Sequence, residues 1–159
     1  MTTPASILRH PVHPMLITLP IGLWIFSLVC DVIFMMGWGG ILWKDMAFYT
    51  MVGGICGALL AAVPGYIDYR SITDPQVKRI GTWHMAANLT VVALYVLNVY
   101  MRMGNDPGRR LPVLLSFLGV CLLGVSGWLG GEMVYVHGVA VDKAERGPAG
   151  TRGGRASGF

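Results

Sequence analysis

Residues 14–36 read PMLITLPIGLWIFSLVCDVIFMM, an apolar run whose one charged residue is Asp31. A helix of this length covers roughly 30 Å at about 1.5 Å per residue, which matches the hydrocarbon core of a bilayer. Lipid offers no hydrogen-bond partner to a free peptide group, so a backbone that crosses it must be helical. The run is also too long for the apolar part of a signal peptide. We therefore expect it to be the first membrane-spanning helix of the mature chain.

Three more apolar runs follow, each also long enough to span a membrane. We predict spans at about 14–36, 46–67, 80–101 and 111–129. The chain has 159 residues, of which 54% are hydrophobic and 13% are charged, against a charged fraction of about 25% in soluble domains. These features predict an all-α fold, an integral membrane four-helix bundle with both termini on the same side. Residues 1–141 form the transmembrane domain, and the basic tail at 142–159 is expected to be disordered.

Positive charge is distributed unevenly between the two sides that this topology defines. Eight Lys and Arg residues fall on the side of the termini and the middle loop, and four fall on the opposite side. Cytoplasmic loops of membrane proteins carry such an excess, so we expect both termini to be cytoplasmic. The same distribution accounts for the basic composition without a nucleic-acid partner, and the expected surroundings of the chain are membrane lipid.

All four histidines fall on the side of the termini, because odd-numbered spans begin there and even-numbered spans end there. His10 and His13 precede the first span, His84 lies about one turn inside the third, and His137 follows the fourth. Ionisable groups at membrane depth are costly and usually mark pathways, relays or ligands. Because imidazole ligates haem iron and most first-row metals, the histidines predict a cofactor site near one membrane face.

Two other polar residues within the spans are expected to have structural roles. Asn88 lies one helical turn beyond His84 on the same face, where it can bond the imidazole or a neighbouring helix. Asp31 lies roughly 27 Å beyond His13 along a helix, so it belongs near the opposite face. We expect its charge to be neutralised by Lys44 or Arg102.

Small residues and one proline predict how the helices pack. Gly53, Gly57, Ala61 and Gly65 recur at every fourth position of the second span. Such a stripe permits close helix approach and would also leave room for a flat cofactor. Pro20, early in the first span, lacks an N–H group and is expected to kink its helix.

Several segments resemble a known bacterial family. Residues 10–22, HPVHPMLITLPIG, and residues 127–139, GWLGGEMVYVHGV, are similar to the opening and ending of the family catalogued as domain of unknown function 2231. Residues 64–68, PGYID, and the His84 and Asn88 pair are similar as well. The resemblance covers about residues 8–141 and implies a four-span protein of the bacterial cytoplasmic membrane. Some members are fused to a Rieske-type iron–sulfur domain, which implies an association with redox chemistry.

The leading hypothesis is a small b-type cytochrome-like protein that holds haem b between its helices for electron transfer. His13 and His84 would bridge the first and third spans as ligands, with His10 and His137 available for a second haem. The arginines at the right level to pair with haem propionates are Arg9, Arg70 and Arg79. The partner would be a quinone or a redox protein. With no catalytic triad or phosphate loop in the sequence, electron transfer or an accessory role is favoured over catalysis.

Two alternatives stay open at this point. The first is a zinc, copper or iron ion without porphyrin. Its candidate ligands are His10, His13, His84, His137, Glu132 and Asp68. The second is a structural or accessory membrane subunit, in which the histidines serve polar packing and no cofactor is bound.

Overall fold

The computed structural model describes residues 4–8, 10–104 and 110–141. Within these residues the chain begins with an antiparallel two-stranded ribbon and continues as five α-helices. The elements are β1 (Ser6–Ile7), β2 (His10–Pro11), α1 (Val12–Leu16), α2 (Thr18–Met35), α3 (Ile41–Ser71), α4 (Pro75–Met103) and α5 (Arg110–Tyr135). The predicted all-α membrane bundle is confirmed. The side of the membrane that carries the termini stays a prediction, and the predicted disorder of 142–159 lies outside the described residues.

The candidate membrane spans of the described chain follow the long helices. They cover Val12–Met35, Ile41–Ser71, Pro75–Met103 and Arg110–Tyr135, and each is long and apolar enough to cross a bilayer. Except at the end of the first span, which stops at Met35 and not at 36, the helices extend beyond the apolar runs that predicted them. Where the membrane surfaces cut each helix stays a prediction.

The start of α4 shows why hydropathy alone misplaces a helix end. The helix begins five residues before the predicted span, because Asp74 caps it. Its Oδ1 atom accepts hydrogen bonds from the backbone N–H groups of Gln76 at 2.8 Å and Val77 at 3.1 Å. Pro75 stands in the first turn, where its missing N–H group costs nothing and its fixed φ suits the helix.

The first span is divided at Ile17, which separates α1 from α2. Pro20 has no N–H group to donate to the carbonyl of Leu16, so the ladder of helical hydrogen bonds is interrupted there. The backbone N–H of Ile17 still donates to the main-chain oxygen of His13 at 3.1 Å. The short helix α1 is thereby a distinct element, and it carries His13.

The core lies where α2, α3 and α4 meet. Trp24, Met51, Val91 and Tyr95 form a buried cluster. The rings of Trp24 and Tyr95 stack with centroids 4.4 Å apart and planes 2° from parallel. The indole Nε1 of Trp24 donates to the main-chain oxygen of Met51 at 3.2 Å, so its polar edge is satisfied inside the bundle.

A buried ion pair joins α2 to α4 at the end of the bundle away from His13. Arg102 donates from its two terminal nitrogens to the two carboxylate oxygens of Asp31, at 2.7 and 2.6 Å. Its Nε donates to Oδ1 of Asn98 at 2.8 Å, and the Asn98 amide donates to Oγ of Ser116 on α5 at 2.9 Å. Asp31 is 2% exposed. The prediction that Lys44 or Arg102 neutralises it is confirmed for Arg102.

Candidate functional site

Two histidines from different helices meet at the other end of the bundle. The ring centroids of His13, on α1, and His84, on α4, are 6.3 Å apart, and the ring planes are at 86° to each other. Both side chains are half-buried. We call these two residues the histidine pair. Sequence reasoning chose the same two residues as the best partners, and their role as ligands stays a prediction.

His13 is oriented by the main chain of α3. Its Nδ1 atom lies 2.8 Å from the carbonyl oxygen of Ala61. A carbonyl can only accept, so Nδ1 carries the proton, and a neutral ring then has its lone pair on Nε2. A methyl group at Gly65 would place its carbon 2.6 Å from this Nδ1 atom. The glycine of the predicted stripe is therefore the surface against which the His13 ring packs, and the stripe is filled there by a side chain of the protein.

His84 is oriented in the same manner by α5. Its Nδ1 atom lies 2.9 Å from the main-chain oxygen of Ser126 and 3.1 Å from the hydroxyl of the same residue. A methyl carbon at Gly130 would lie 3.2 Å from the Cε1 atom of the ring. Nε2 of His84 faces the amide nitrogen of Asn88 at 3.0 Å. The predicted hydrogen bond between Asn88 and the imidazole is present.

Sequence reasoning did not single out Ser126. It is buried and lies four residues before Gly130, so both residues face α4 from one side of α5. A single serine one turn before a glycine in an apolar helix was the available signal. A serine in a membrane helix usually bonds its own backbone, however, so the signal alone is weak.

The remaining candidate ligands do not join the histidine pair. His10 is exposed in β2, and His137 follows α5 with a buried Nε2 that has no hydrogen-bond partner among the described residues. Asp68 accepts a hydrogen bond from the backbone N–H of Ala5 at 2.9 Å, which ties the N-terminal ribbon to α3. Glu132 is half-buried. Over residues 4–8, 10–104 and 110–141, no group of three or more His, Cys, Asp or Glu side chains is placed to hold a metal ion.

The arginines predicted to pair with propionates stand at this end of the fold or outside the described residues. Arg70, near the end of α3, and Arg79, near the start of α4, are both exposed. Neither forms an ion pair with another residue of the described chain. Lys78, next to Arg79, instead donates to the main-chain oxygen of Tyr69 at 2.7 Å. Arg9 lies outside the described residues.

In both rings of the histidine pair, Nδ1 donates its proton in a hydrogen bond to a main-chain oxygen. A neutral imidazole in this state presents Nε2 as a lone-pair donor, which suits it to bind a metal centre or to accept a proton. With ring centroids 6.3 Å apart, the pair could supply two ligands to a metal centre that has its other ligands already.

Comparison with known proteins gives one match. The family model described as predicted membrane protein (DUF2231) matches residues 9–143, a range that contains the histidine pair and all the described helices. No curated protein and no solved structure matches the chain. Because the match covers most of the chain, this protein belongs to the DUF2231 family of membrane proteins.

Proposed function

We propose that this protein is a small b-type cytochrome-like membrane protein, in which His13 and His84 would hold one haem b that serves electron transfer. The observation that carries the proposal is the common hydrogen bonding of the two rings, since each Nδ1 donates to a main-chain oxygen. A histidine that ligates a metal almost always donates its other ring N–H in this way, which fixes the tautomer and the ring orientation.

The number of available ligands favours haem over a bare ion. Zinc sites use three or four protein ligands, whereas the described residues offer the two imidazoles and no group of three candidates. A haem supplies its own equatorial ligands and needs only axial ones from the protein. A pair of imidazoles from two different helices therefore suits haem better than zinc.

The spacing of the pair supports the same proposal. Metal–imidazole bonds are about 2.0–2.1 Å long, so two rings that bind one metal ion must lie within several ångströms of each other. The centroids of His13 and His84 are 6.3 Å apart. Arg70 and Arg79 are exposed at the same end of the bundle, where charge-assisted hydrogen bonds to propionates are open to them.

The protein's own contribution is to hold two rings at a fixed separation and to limit their contact with water. When bound, haem b supplies one-electron transfer. The electron partner is proposed to be a quinone in the bilayer or a redox partner protein. The family resemblance and the excess of Lys and Arg favour the bacterial cytoplasmic membrane, with both termini and the histidine pair near its cytoplasmic face.

The absorption spectrum of the full-length protein tests this proposal. The chain is expressed with haem and metals supplied, purified in detergent, and examined oxidised and dithionite-reduced, with metal analysis of the same sample. The expected result is the sharp α-band of a reduced b-type haem, lost in both His13→Ala and His84→Ala. His10→Ala is the matched control, because His10 is exposed and outside the pair.

The other outcomes are equally informative. A colourless protein with stoichiometric zinc or copper would overturn the haem proposal in favour of a bare metal ion. Protein that is folded but holds neither haem nor metal would leave an accessory membrane subunit as the function.

A further inference from the structure

The two Nε2 atoms of the histidine pair differ in their surroundings. Nε2 of His84 faces the amide nitrogen of Asn88 at 3.0 Å, and the same amide nitrogen lies 3.0 Å from the main-chain oxygen of His84. Nε2 of His13 forms no hydrogen bond with any residue that the structure describes. One member of the pair is therefore open to a ligand and the other is blocked.

The orientation of the Asn88 amide follows from its neighbours. The NH₂ group has two protons, and the two acceptors beside it are the Nε2 lone pair and the main-chain oxygen of His84. The reversed orientation would place the amide oxygen against both acceptors, which repels. Because Nδ1 of His84 carries the ring proton and donates it to Ser126, Nε2 has a lone pair that can accept a hydrogen bond from the Asn88 amide. The three contacts are consistent with a single protonation pattern.

Asn88 stays within reach of the ring because of its position in the sequence. It follows His84 by four residues on α4, so the two side chains are neighbours on one helix face. It is half-buried in a span where water is scarce. Its amide therefore has few other partners and tends to remain on His84.

We infer that Asn88 restricts ligand binding at the cofactor site, a role that we call the gate. Its amide N–H donates to the lone pair of His84 Nε2 that a haem iron needs. This inference rests on the proposed function. One lone pair cannot accept a hydrogen bond and bind a metal at the same time. Haem binding therefore requires the Asn88 side chain to turn away from His84. The affinity for haem is then lower than it would be without the Asn88 amide. The difference is the net free energy of one hydrogen bond, which corresponds to roughly three- to tenfold in affinity.

Haem titration of the full-length apoprotein in detergent tests the gate. Asn88→Leu is similar in size and removes the donor, so it should bind haem roughly three- to tenfold more tightly than the wild type. Asn88→Ala is the second variant and should change in the same direction. Thr90→Val is the matched control, because Thr90 is exposed on the same helix and its hydroxyl bonds only the oxygen of Ala86. Unchanged or weaker binding by both Asn88 variants would overturn the gate.

A measurement without haem separates the gate from the proposed function. The ¹⁵N chemical shift of His84 Nε2 in the apoprotein reports whether that atom accepts a hydrogen bond, and it should change in Asn88→Leu but not in Thr90→Val. If the shift is the same in Asn88→Leu, the gate is wrong even where haem binds. If no form of the protein binds haem although the shift changes, the proposed function fails, and with it the role of Asn88 as a gate.

Discussion

The ring of Trp24 on α2 stacks on the ring of Tyr95 on α4, and each ring has a glycine behind it. Gly54 of α3 faces the indole of Trp24, and a methyl carbon at Gly119 of α5 would lie 2.7 Å from the Tyr95 ring. All the long helices thus meet in one layer through two aromatic rings and two glycines. The layer sets the distance between the α2–α3 pair and the α4–α5 pair.

We expect Gly119→Ala to destabilise the bundle by about 1–3 kcal/mol, the usual cost of overpacking a core. Tyr95 is fully buried against Trp24, so its ring has little room to move. Gly124→Ala is the control on the same helix, since a methyl group there meets no described atom within 4 Å. Thermal unfolding in detergent followed by circular dichroism measures both. Equal melting temperatures would show that the Tyr95 ring adapts.

Removal of one partner of the Asp31–Arg102 pair should be far more damaging than removal of both. Arg102→Leu leaves a buried carboxylate without its cation, and we expect a loss of about 3–5 kcal/mol. A double variant with Asp31→Leu as well should recover most of that loss, because no charge is then buried. The exposed Asp45, replaced by Ala, is the control. The wild type, Arg102→Leu, the single variant Asp31→Leu and the double variant form a cycle of unfolding free energies, and purely additive values would contradict a coupled pair.

Gly65→Ala should displace His13 and weaken the site without removal of a histidine. The new methyl carbon would lie 2.6 Å from Nδ1 of His13, so the ring must move and its bond to Ala61 must lengthen or break. We expect a lower haem content per chain together with a lower melting temperature. Gly22→Ala is the matched control, because a methyl group there meets no described atom within 4 Å. Full haem content in the Gly65 variant would mean that the ligand is not His13.

The N-cap of α4 offers a prediction independent of any cofactor. Asp74→Ala removes the acceptor of two backbone N–H groups and should cost about 0.5–2 kcal/mol, whereas Asp74→Asn should retain most of the stability. Thr73→Ala changes an exposed neighbour and should have little effect. Unfolding free energies in detergent check the series. A loss with Asn as large as that with Ala would argue against the cap.

Much of the fold follows from the sequence because lipid leaves the backbone few choices. Apolar runs of about 20 residues had to be helices. Since alternate spans run in opposite directions, the histidines at the start of the first span and near the start of the third had to lie at one end. For the same reason Asp31, late in the first span, had to lie far from them and at the end of the bundle that holds Arg102. The position of these residues along the bundle could therefore be predicted without a tertiary structure.

The partners of the two Nδ1 atoms could not be predicted, because they are main-chain oxygens. Every residue has a carbonyl group, and the ones that face His13 and His84, at Ala61 and Ser126, are selected by the rotation and tilt of α3 and α5. The rotation of a helix depends on how side chains such as Trp24 pack against glycines of the neighbouring helix, here Gly54. A stripe of small residues in one helix predicts close approach, but the neighbouring side chain that fills each position is set by the packed bundle.

The Asp31–Arg102 pair also constrains how the protein is made. The two residues are 71 positions apart, so at synthesis rates of about 5–20 residues per second Arg102 leaves the ribosome roughly 4–14 s after Asp31. During that interval α2 carries a carboxyl group with no cation opposite it, which disfavours its release into lipid. A nascent α2 should therefore stay beside the translocon until α4 arrives, and the chain completes its insertion as a group of helices rather than one helix at a time.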